Sequence, residues 1–179
     1  MNPTHKALRA GTAEAHDRVD AAFAAFDLAD RESYATFLRA HAEVVLPLEA
    51  TLPGERIVPD WEERKRSALL KEDLAFLRPL GHPRESGGDD WALDTDPAIA
   101  GALYVLEGSR LGGRFLSRQV PRDFPRAYLD ANQPPEKWRN LLDRCDAMLY
   151  QPAALQSALD AAHIVFAAFE RSARSWAKG

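Results

Sequence analysis

The chain has 179 residues, of which 46% are apolar and 28% charged, enough for one domain with a sizeable core. Its single cysteine excludes an internal disulfide, a cysteine-built zinc site and a cysteine-ligated iron–sulfur cluster. The net charge of −4 argues against a nucleic-acid-binding surface, which would show a basic excess. The N-terminus lacks the apolar core of a signal peptide, and no apolar stretch approaches the roughly 20 residues of a membrane span. We therefore expect one cytoplasmic domain over residues 1–179.

Apolar residues recur at helical spacing along the chain, whereas the alternation typical of strands is not sustained. The first apolar stripe runs from Leu8 to Phe26. A second helix is predicted to begin after Asp30, which suits an N-cap, and Pro47 is expected to disturb its end.

The middle of the chain is predicted to contain a third helix and the longest loop. The helix starts at Asp60, with Glu63 as its capping-box partner, and runs toward Leu77. Residues 78–95 contain two prolines and three glycines, so they form the longest loop.

Three further helices complete the prediction. Asp96 is expected to cap a helix that has proline at its first position and stops before Pro121. The next helix follows the prolines that end at Pro135, and the last opens at Pro152. Because no repeat or second domain is visible, the predicted fold class is all-α, with a single domain of several helices.

His16 is the first candidate functional residue. At about 100° per residue, His16 lies at the edge of the apolar stripe, so its side chain is expected to point toward the core without being fully buried there. Asp20 lies one turn further on, where its carboxylate can accept a hydrogen bond from Nδ1 and leave Nε2 free for a metal. The alternative is a half-buried histidine in an ordinary i,i+4 pair, and spacing alone leaves both interpretations open.

A glycine run is the second candidate. Gly108, Gly112 and Gly113 lie inside the helix that follows Asp96, and each costs about 1 kcal/mol relative to alanine, which predicts a kink or fraying. Close helix packing or a helix end would explain them. They would also allow a flat molecule to approach the backbone. A planar macrocycle between this helix and the first would require both candidates at once.

Two motifs resemble those of a known family. Residues 12–20, Thr-Ala-Glu-Ala-His-Asp-Arg-Val-Asp, are similar to the proximal-helix motif of heme oxygenases. Residues 102–113, Ala-Leu-Tyr-Val-Leu-Glu-Gly-Ser-Arg-Leu-Gly-Gly, resemble the distal helix of the bacterial, biliverdin-producing branch. The segment 73–77 and the tail from Trp138 through Phe169 resemble that branch in order and spacing, so the likeness covers most of the chain.

The resemblance implies the fold, with heme between the first helix and the glycine-containing distal helix, and it assigns roles to residues. His16 would be the axial ligand of the heme iron, the only metal ligand, and Asp20 its hydrogen-bond partner. The catalytic distal wall would consist of Gly108, Ser109, Gly112 and Gly113. Arg9 and Tyr104 would lie near the heme propionates, and Phe166 would pack on the macrocycle in addition to belonging to the core.

The resemblance also leads to specific expectations for three arginines and one serine. Arg139 or Arg144 is a further candidate propionate partner on a looser match. Ser109 occupies the position of an aspartate in the animal enzymes, which points to the bacterial branch. Arg110 stands where that branch has a smaller uncharged residue, and we expect it to point to solvent or to a propionate.

The resemblance implies that heme is both substrate and cofactor. Dioxygen and electrons from an external donor, such as a ferredoxin or a flavin reductase, would convert it to biliverdin, carbon monoxide and ferrous iron. A bilin-binding photoreceptor is a conceivable acceptor of the product. No nucleic acid and no membrane span are expected.

Three alternatives remain at this point. The first is a non-catalytic protein of the same fold that binds or sequesters heme. The second is a related helical hydrolase of thiamin salvage, which needs a cysteine nucleophile. The only candidate, Cys145, lies among apolar residues and reads as core. The third is a structural helical adaptor, which leaves the glycine run unexplained.

Overall fold

Seven α-helices form the part of the chain that the computed structural model describes, residues 2–78 and 91–178, and no strand occurs there. The helices are α1 (Pro3–Phe23), α2 (Arg31–Thr51), α3 (Trp61–Arg64), α4 (Ser67–Leu77), α5 (Asp96–Leu116), α6 (Pro135–Met148) and α7 (Pro152–Ala177). Short 3₁₀ turns lie at Gly54–Arg56 and Ser117–Gln119. The all-α prediction is confirmed. The loop predicted over residues 78–95 falls mostly outside the described residues.

Helix α7 is the central element, because it packs against α1, α2 and α5. A stripe of alanines lets the other helices approach closely. At Gly101 of α5, an added Cβ would lie within 2.1 Å of the carbonyl oxygen of Ala158. By length and composition α7 could also cross a membrane, but a core helix has the same composition, and here α7 packs against three other helices.

Helix α2 does not end at Pro47, as the sequence suggested, but continues to Thr51. A proline inside a helix costs about 3 kcal/mol. Beyond it, Leu48 and Leu52 are 0% and 4% exposed, and burying each such side chain contributes about 1.5–3 kcal/mol. The burial therefore offsets the lost backbone hydrogen bond.

The helix predicted from Asp60 to Leu77 is broken into α3 and α4. The buried carboxylate of Glu49 accepts the backbone N–H groups of Arg66 (3.0 and 2.9 Å) and Ser67 (2.8 Å), so a new helix starts there. The Asp60 side chain makes no capping bond and instead pairs with Arg64 at 2.8 Å. The predicted capping box is therefore wrong.

Helix α5 begins one residue earlier than predicted. Thr95, not Asp96, is the N-cap, and its hydroxyl accepts the backbone N–H of Ala98 at 3.3 Å. The helix then stays helical through the whole glycine run and ends at Leu116, before Pro121 as expected. The predicted fraying at the glycines therefore does not occur.

Candidate functional site

A cavity of about 650 Å³ separates α1 from the second half of α5. Helices α2, α6 and α7 contribute the rest of its lining, together with Arg66 and the segment containing Tyr128 and Leu129. Nine of the site residues predicted from the sequence line this cavity: Arg9, His16, Asp20, Tyr104, Gly108, Ser109, Gly112, Gly113 and Phe166. The fold thus brings two separate sequence motifs to one site, while the role of each residue stays a prediction.

His16 faces the cavity from α1. Its Nδ1 lies 3.3 Å from the Asp20 carboxylate, the i,i+4 arrangement that the spacing predicted. The two side chains are 60% and 68% exposed, so His16 is more exposed than either interpretation of its spacing suggested. The Phe166 ring meets the imidazole edge-on, with 6.0 Å between ring centroids. Because Asp20 occupies the Nδ1 side of the ring, Nε2 is the nitrogen that could hold a metal.

The glycines opposite His16 differ in what an added side chain would contact. A Cβ added at Gly112 would meet nothing within 4 Å, and at Gly108 it would make only ordinary contact with Trp138 at 3.6 Å. At Gly113 the carbonyl oxygen of Leu129 would lie 3.1 Å away. Helix packing therefore accounts for Gly113 but not for Gly112, where the missing side chain leaves free space at the cavity.

One end of the cavity is basic and aromatic. Arg9 is exposed there, beside His5, Tyr104 and Trp138, whose rings contact each other at centroid distances of 5.7–6.1 Å. Burial and the charge of Arg9 lower the pKa of His5. Burial raises the pKa of Tyr104, which keeps its hydroxyl protonated as a hydrogen-bond donor. This end suits the carboxylate groups of an amphipathic ligand.

Sequence reasoning missed His5, although a signal was present. Positions 5, 9, 12 and 16 follow the 4-3-4 spacing of one helix face, and all four residues line the cavity. A histidine one turn before Arg9 could therefore have been placed in the site from the sequence.

Arg66 was also missed. This guanidinium is 3% exposed, and its Nη2 donates to the carbonyl oxygen of Leu106 at 2.9 Å and to the Ser109 hydroxyl at 2.6 Å. It also stacks over Tyr128, 4.8 Å from the ring centroid. Nothing in the local sequence marks it, because only the break between α3 and α4 brings it to α5.

His41 is a second histidine at the cavity that the sequence did not single out. Its Nδ1 donates to the carbonyl oxygen of Phe37 at 3.0 Å, and its ring packs between Phe23 and Phe37 at centroid distances of 4.3 and 4.4 Å. Burial lowers the pKa of His41 to about 4. The imidazole is therefore neutral at pH 7.

Arg110 corrects an expectation. It points neither to solvent nor to a propionate but lies 7% exposed, away from the cavity lining. Its guanidinium pairs with Glu107 at 3.3 Å and donates to the backbone carbonyl oxygens of Arg64 and Ala131. Glu107, itself 2% exposed, also accepts from Arg64 at 3.1 Å and from Gln133 at 2.5 Å. This buried cluster anchors the outer side of α5 directly beside Gly108.

Three other side chains lie outside the lining of the cavity. Arg139 pairs with Glu136 on the surface of α6 at 2.6 Å, and Arg144 is exposed, so neither supports the looser propionate assignment. Cys145 is 1% exposed, and burial raises the pKa of its thiol to about 12. A nucleophilic cysteine needs a lowered pKa, which argues against the hydrolase alternative.

An all-helical fold with His16 facing a glycine wall, and with Arg9 at the cavity end, is the arrangement expected of a protein that binds a flat ligand carrying acidic groups and a metal. No protein-family model matches the sequence. The chain is 32% identical to the heme oxygenase of Xanthomonas campestris over 149 residues, covering 78% of this chain and 88% of that protein. Over 116 residues it is 32% identical to the heme oxygenase PigA of Pseudomonas aeruginosa, covering 61% and 57%.

Solved structures agree with this relationship. The NO- and CO-bound heme oxygenase from Neisseria meningitidis superposes with a TM-score of 0.79 over 99% of this chain and 94% of that one, at 21% identity. The heme oxygenase from Leptospira interrogans gives 0.73 over 97% and 100%, at 20% identity. These two likenesses support the fold. The chain belongs to the heme oxygenase family.

Proposed function

We propose that this heme oxygenase binds heme through His16 and, with dioxygen and electrons from an external donor, opens it to biliverdin, carbon monoxide and ferrous iron. The observation that carries the proposal is the placement of His16, with Asp20 on its Nδ1, across a 650 Å³ cavity from Gly112. When bound, heme supplies the iron at which dioxygen is activated and is itself the substrate.

On the proximal side, Asp20 acts through His16. Its carboxylate, 3.3 Å from Nδ1, favours the tautomer that carries a proton there and leaves Nε2 as the ligand atom. A single imidazole provides one ligand, and a macrocycle provides the others. The pair therefore fits an iron that enters together with its substrate.

On the distal side, the wall has little side-chain bulk at Gly108 and Gly112, so a flat ligand can lie against the helix backbone. The polar groups presented there are the Ser109 hydroxyl and the Arg66 guanidinium, joined at 2.6 Å. Ser109 donates its own proton to the carbonyl oxygen of Leu106 at 2.6 Å. We therefore propose that Ser109 holds the Arg66 guanidinium in place and does not act as an acid. Arg66 supplies the positive charge of this wall.

The basic end of the cavity and the ring of Phe166 would orient the ligand. Arg9, with the protonated hydroxyl of Tyr104, would receive the propionates, because charged hydrogen bonds are the stronger ones. Phe166, which is 8% exposed, would pack on the apolar part of the ring. An amphipathic ligand then has one favoured direction of entry.

The electron donor, the acceptor of the product and the cellular location are further parts of this proposal. The sequence carries neither a glycine-rich dinucleotide fingerprint nor a second domain for a flavin, so we propose that a ferredoxin or a flavin reductase supplies the electrons. We propose a cytoplasmic protein of bacterial type in which residues 1–179 act as one domain. A bilin-binding photoreceptor is our candidate acceptor of the product.

Heme titration followed by a single turnover in air tests the proposal. The purified protein is titrated with hemin, the Soret band gives the affinity, and ascorbate starts the reaction. We expect biliverdin absorbance and one equivalent of carbon monoxide, detected as the carbon monoxide complex of added ferrous myoglobin. A Soret band that persists without either product would overturn the proposal in favour of a heme-storing protein.

A histidine pair provides the matched variants. His16→Ala should lose the axial ligand and turnover, and added imidazole should restore both. His163→Ala is the control, because His163 is exposed and donates from Nε2 to the Gly11 carbonyl oxygen at 2.8 Å, outside the cavity lining. Full activity and an unchanged heme spectrum in His16→Ala would refute the ligand assignment.

A further inference from the structure

The C-terminal end of α5 carries an exposed stripe of apolar and basic residues. Leu111 and Phe115 are 61% and 66% exposed, although both are large and apolar. At about 100° per residue, positions 111, 114 and 115 share one sector of the helix, and position 118 extends it into the following turn. We call Leu111, Arg114, Phe115 and Arg118, together with Arg122 four residues further along the chain, the arginine patch.

The charge of the arginine patch contrasts with that of the whole chain. The net charge of the protein is −4, yet residues 111–123 contain three arginines and a single acidic residue, the exposed Asp123 that ends the stretch. All three arginines are exposed. Within residues 2–78 and 91–178, no acidic side chain forms an ion pair with any of them. The patch is therefore a local positive surface with an apolar centre.

The arginine patch also borders the cavity. Leu111 and its neighbour Gly112 line the cavity, whereas Phe115 and the three arginines do not. Filling the cavity would therefore cover the inner edge of the patch and leave its other members exposed. A protein bound to the patch would lie next to the edge of a bound heme.

We propose that the arginine patch docks an acidic protein that donates one electron at a time, an inference that rests on the external electron supply proposed above. Apolar centres with charged rims are typical of protein interfaces, and redox encounters use small ones. A negatively charged partner would be steered to the patch by charge complementarity. In each transfer the donor loses one electron and the heme iron gains it, and no bond is formed or broken.

A membrane surface fits the arginine patch less well. Peripheral binding to anionic lipids uses clusters of about four to eight basic residues, and the patch has three. A second copy of this chain would also carry three arginines at the contact, and like charges disfavour that pairing. We therefore commit to the acidic electron donor and treat the other occupants as outcomes of the test.

The experiment uses a reduced, strongly acidic [2Fe–2S] ferredoxin as the probe. Arg114→Glu/Arg118→Glu is compared with Lys71→Glu/Lys178→Glu, an equal charge change at exposed positions remote in sequence. We measure ferredoxin affinity for the heme-loaded protein by calorimetry and ferredoxin oxidation by stopped flow, at low and high salt. At low salt we expect the patch variant to lose at least about tenfold in rate and affinity, while the control stays near wild type.

Phe115→Ala is the second variant. It should weaken ferredoxin affinity without changing the salt dependence, because it removes apolar contact and no charge. Equal losses in the patch and control variants, or an unchanged affinity in the patch variant, would overturn the proposal. So would a patch variant that loses only vesicle binding or dimer formation and keeps its ferredoxin affinity.

Ascorbate separates this proposal from the proposed function. Turnover with this small reductant should be the same in wild type and patch variant, because ascorbate needs no docking surface. If the wild type makes no biliverdin with ascorbate, the proposed function fails. The arginine patch is then still judged by the ferredoxin affinities, which require no turnover.

Discussion

Replacing Gly112 by alanine should make the protein more stable and a poorer heme binder at the same time. A Cβ at this position would meet nothing within 4 Å, so the new methyl group causes no clash with the protein. An alanine inside a helix is favoured over glycine by about 1 kcal/mol. For a chain of this size that gain raises the Tm of the heme-free protein by about 2–4 °C.

The same methyl group would stand where a flat ligand lies against α5. Overfilling a close contact costs about 1–3 kcal/mol, which corresponds to a heme affinity lowered by about fivefold to 150-fold. The assay therefore has two parts, thermal unfolding of the heme-free protein and a hemin titration followed at the Soret band.

Gly101→Ala is the matched control for Gly112→Ala. Its Cβ would approach the carbonyl oxygen of Ala158 to 2.1 Å, so α5 and α7 must move apart and the Tm should fall. The folded fraction should still bind heme, because Gly101 does not line the cavity. A Gly112→Ala protein that binds heme as tightly as wild type would show that the ligand does not lie against this glycine.

Three further predictions concern buried charge, pH and ligand orientation. Glu107→Ala should lower the free energy of unfolding in urea by about 3–5 kcal/mol, because two buried guanidinium groups lose their carboxylate. Glu136→Ala on the surface is the control and should change this free energy by less than about 1 kcal/mol. Equal losses in the two variants would contradict the prediction. The pKa of His41 is about 4 in the folded protein and about 6.5 in the unfolded chain. Because the unfolded state binds more protons between these two values, the contribution of His41 to folding stability is complete above pH 6.5 and is lost as the pH falls toward 4. In urea titrations of the heme-free protein, His41→Gln should show a smaller drop in stability from pH 7 to 5 than wild type, and an equal drop would refute this. Arg9→Glu should weaken hemin binding about tenfold or more, whereas Arg144→Glu should leave it unchanged; equal effects would remove Arg9 from the propionate end.

The local features of the site could be predicted from the sequence. His16 and Asp20 are one helical turn apart, so their pairing follows from helix geometry wherever α1 packs. The glycine run and the cap-and-proline start of α5 are likewise properties of a few adjacent residues. His5 could also have been placed in the site from the sequence, because it continues the 4-3-4 spacing of the same helix face.

The tertiary structure decided the contacts between segments far apart in the chain. Arg66 meets Ser109 across 43 residues, and it does so because Glu49 starts a new helix at Ser67 where the sequence suggested a continuous one. The prediction for Arg110 failed for the same reason, because its partners Arg64 and Ala131 come from other elements. Helical periodicity states which face of a helix a residue shares but not what lies opposite that face. The sequence by itself therefore determined most of the helices and the two motifs of the site, whereas packing decided where one helix breaks and which charges support the site.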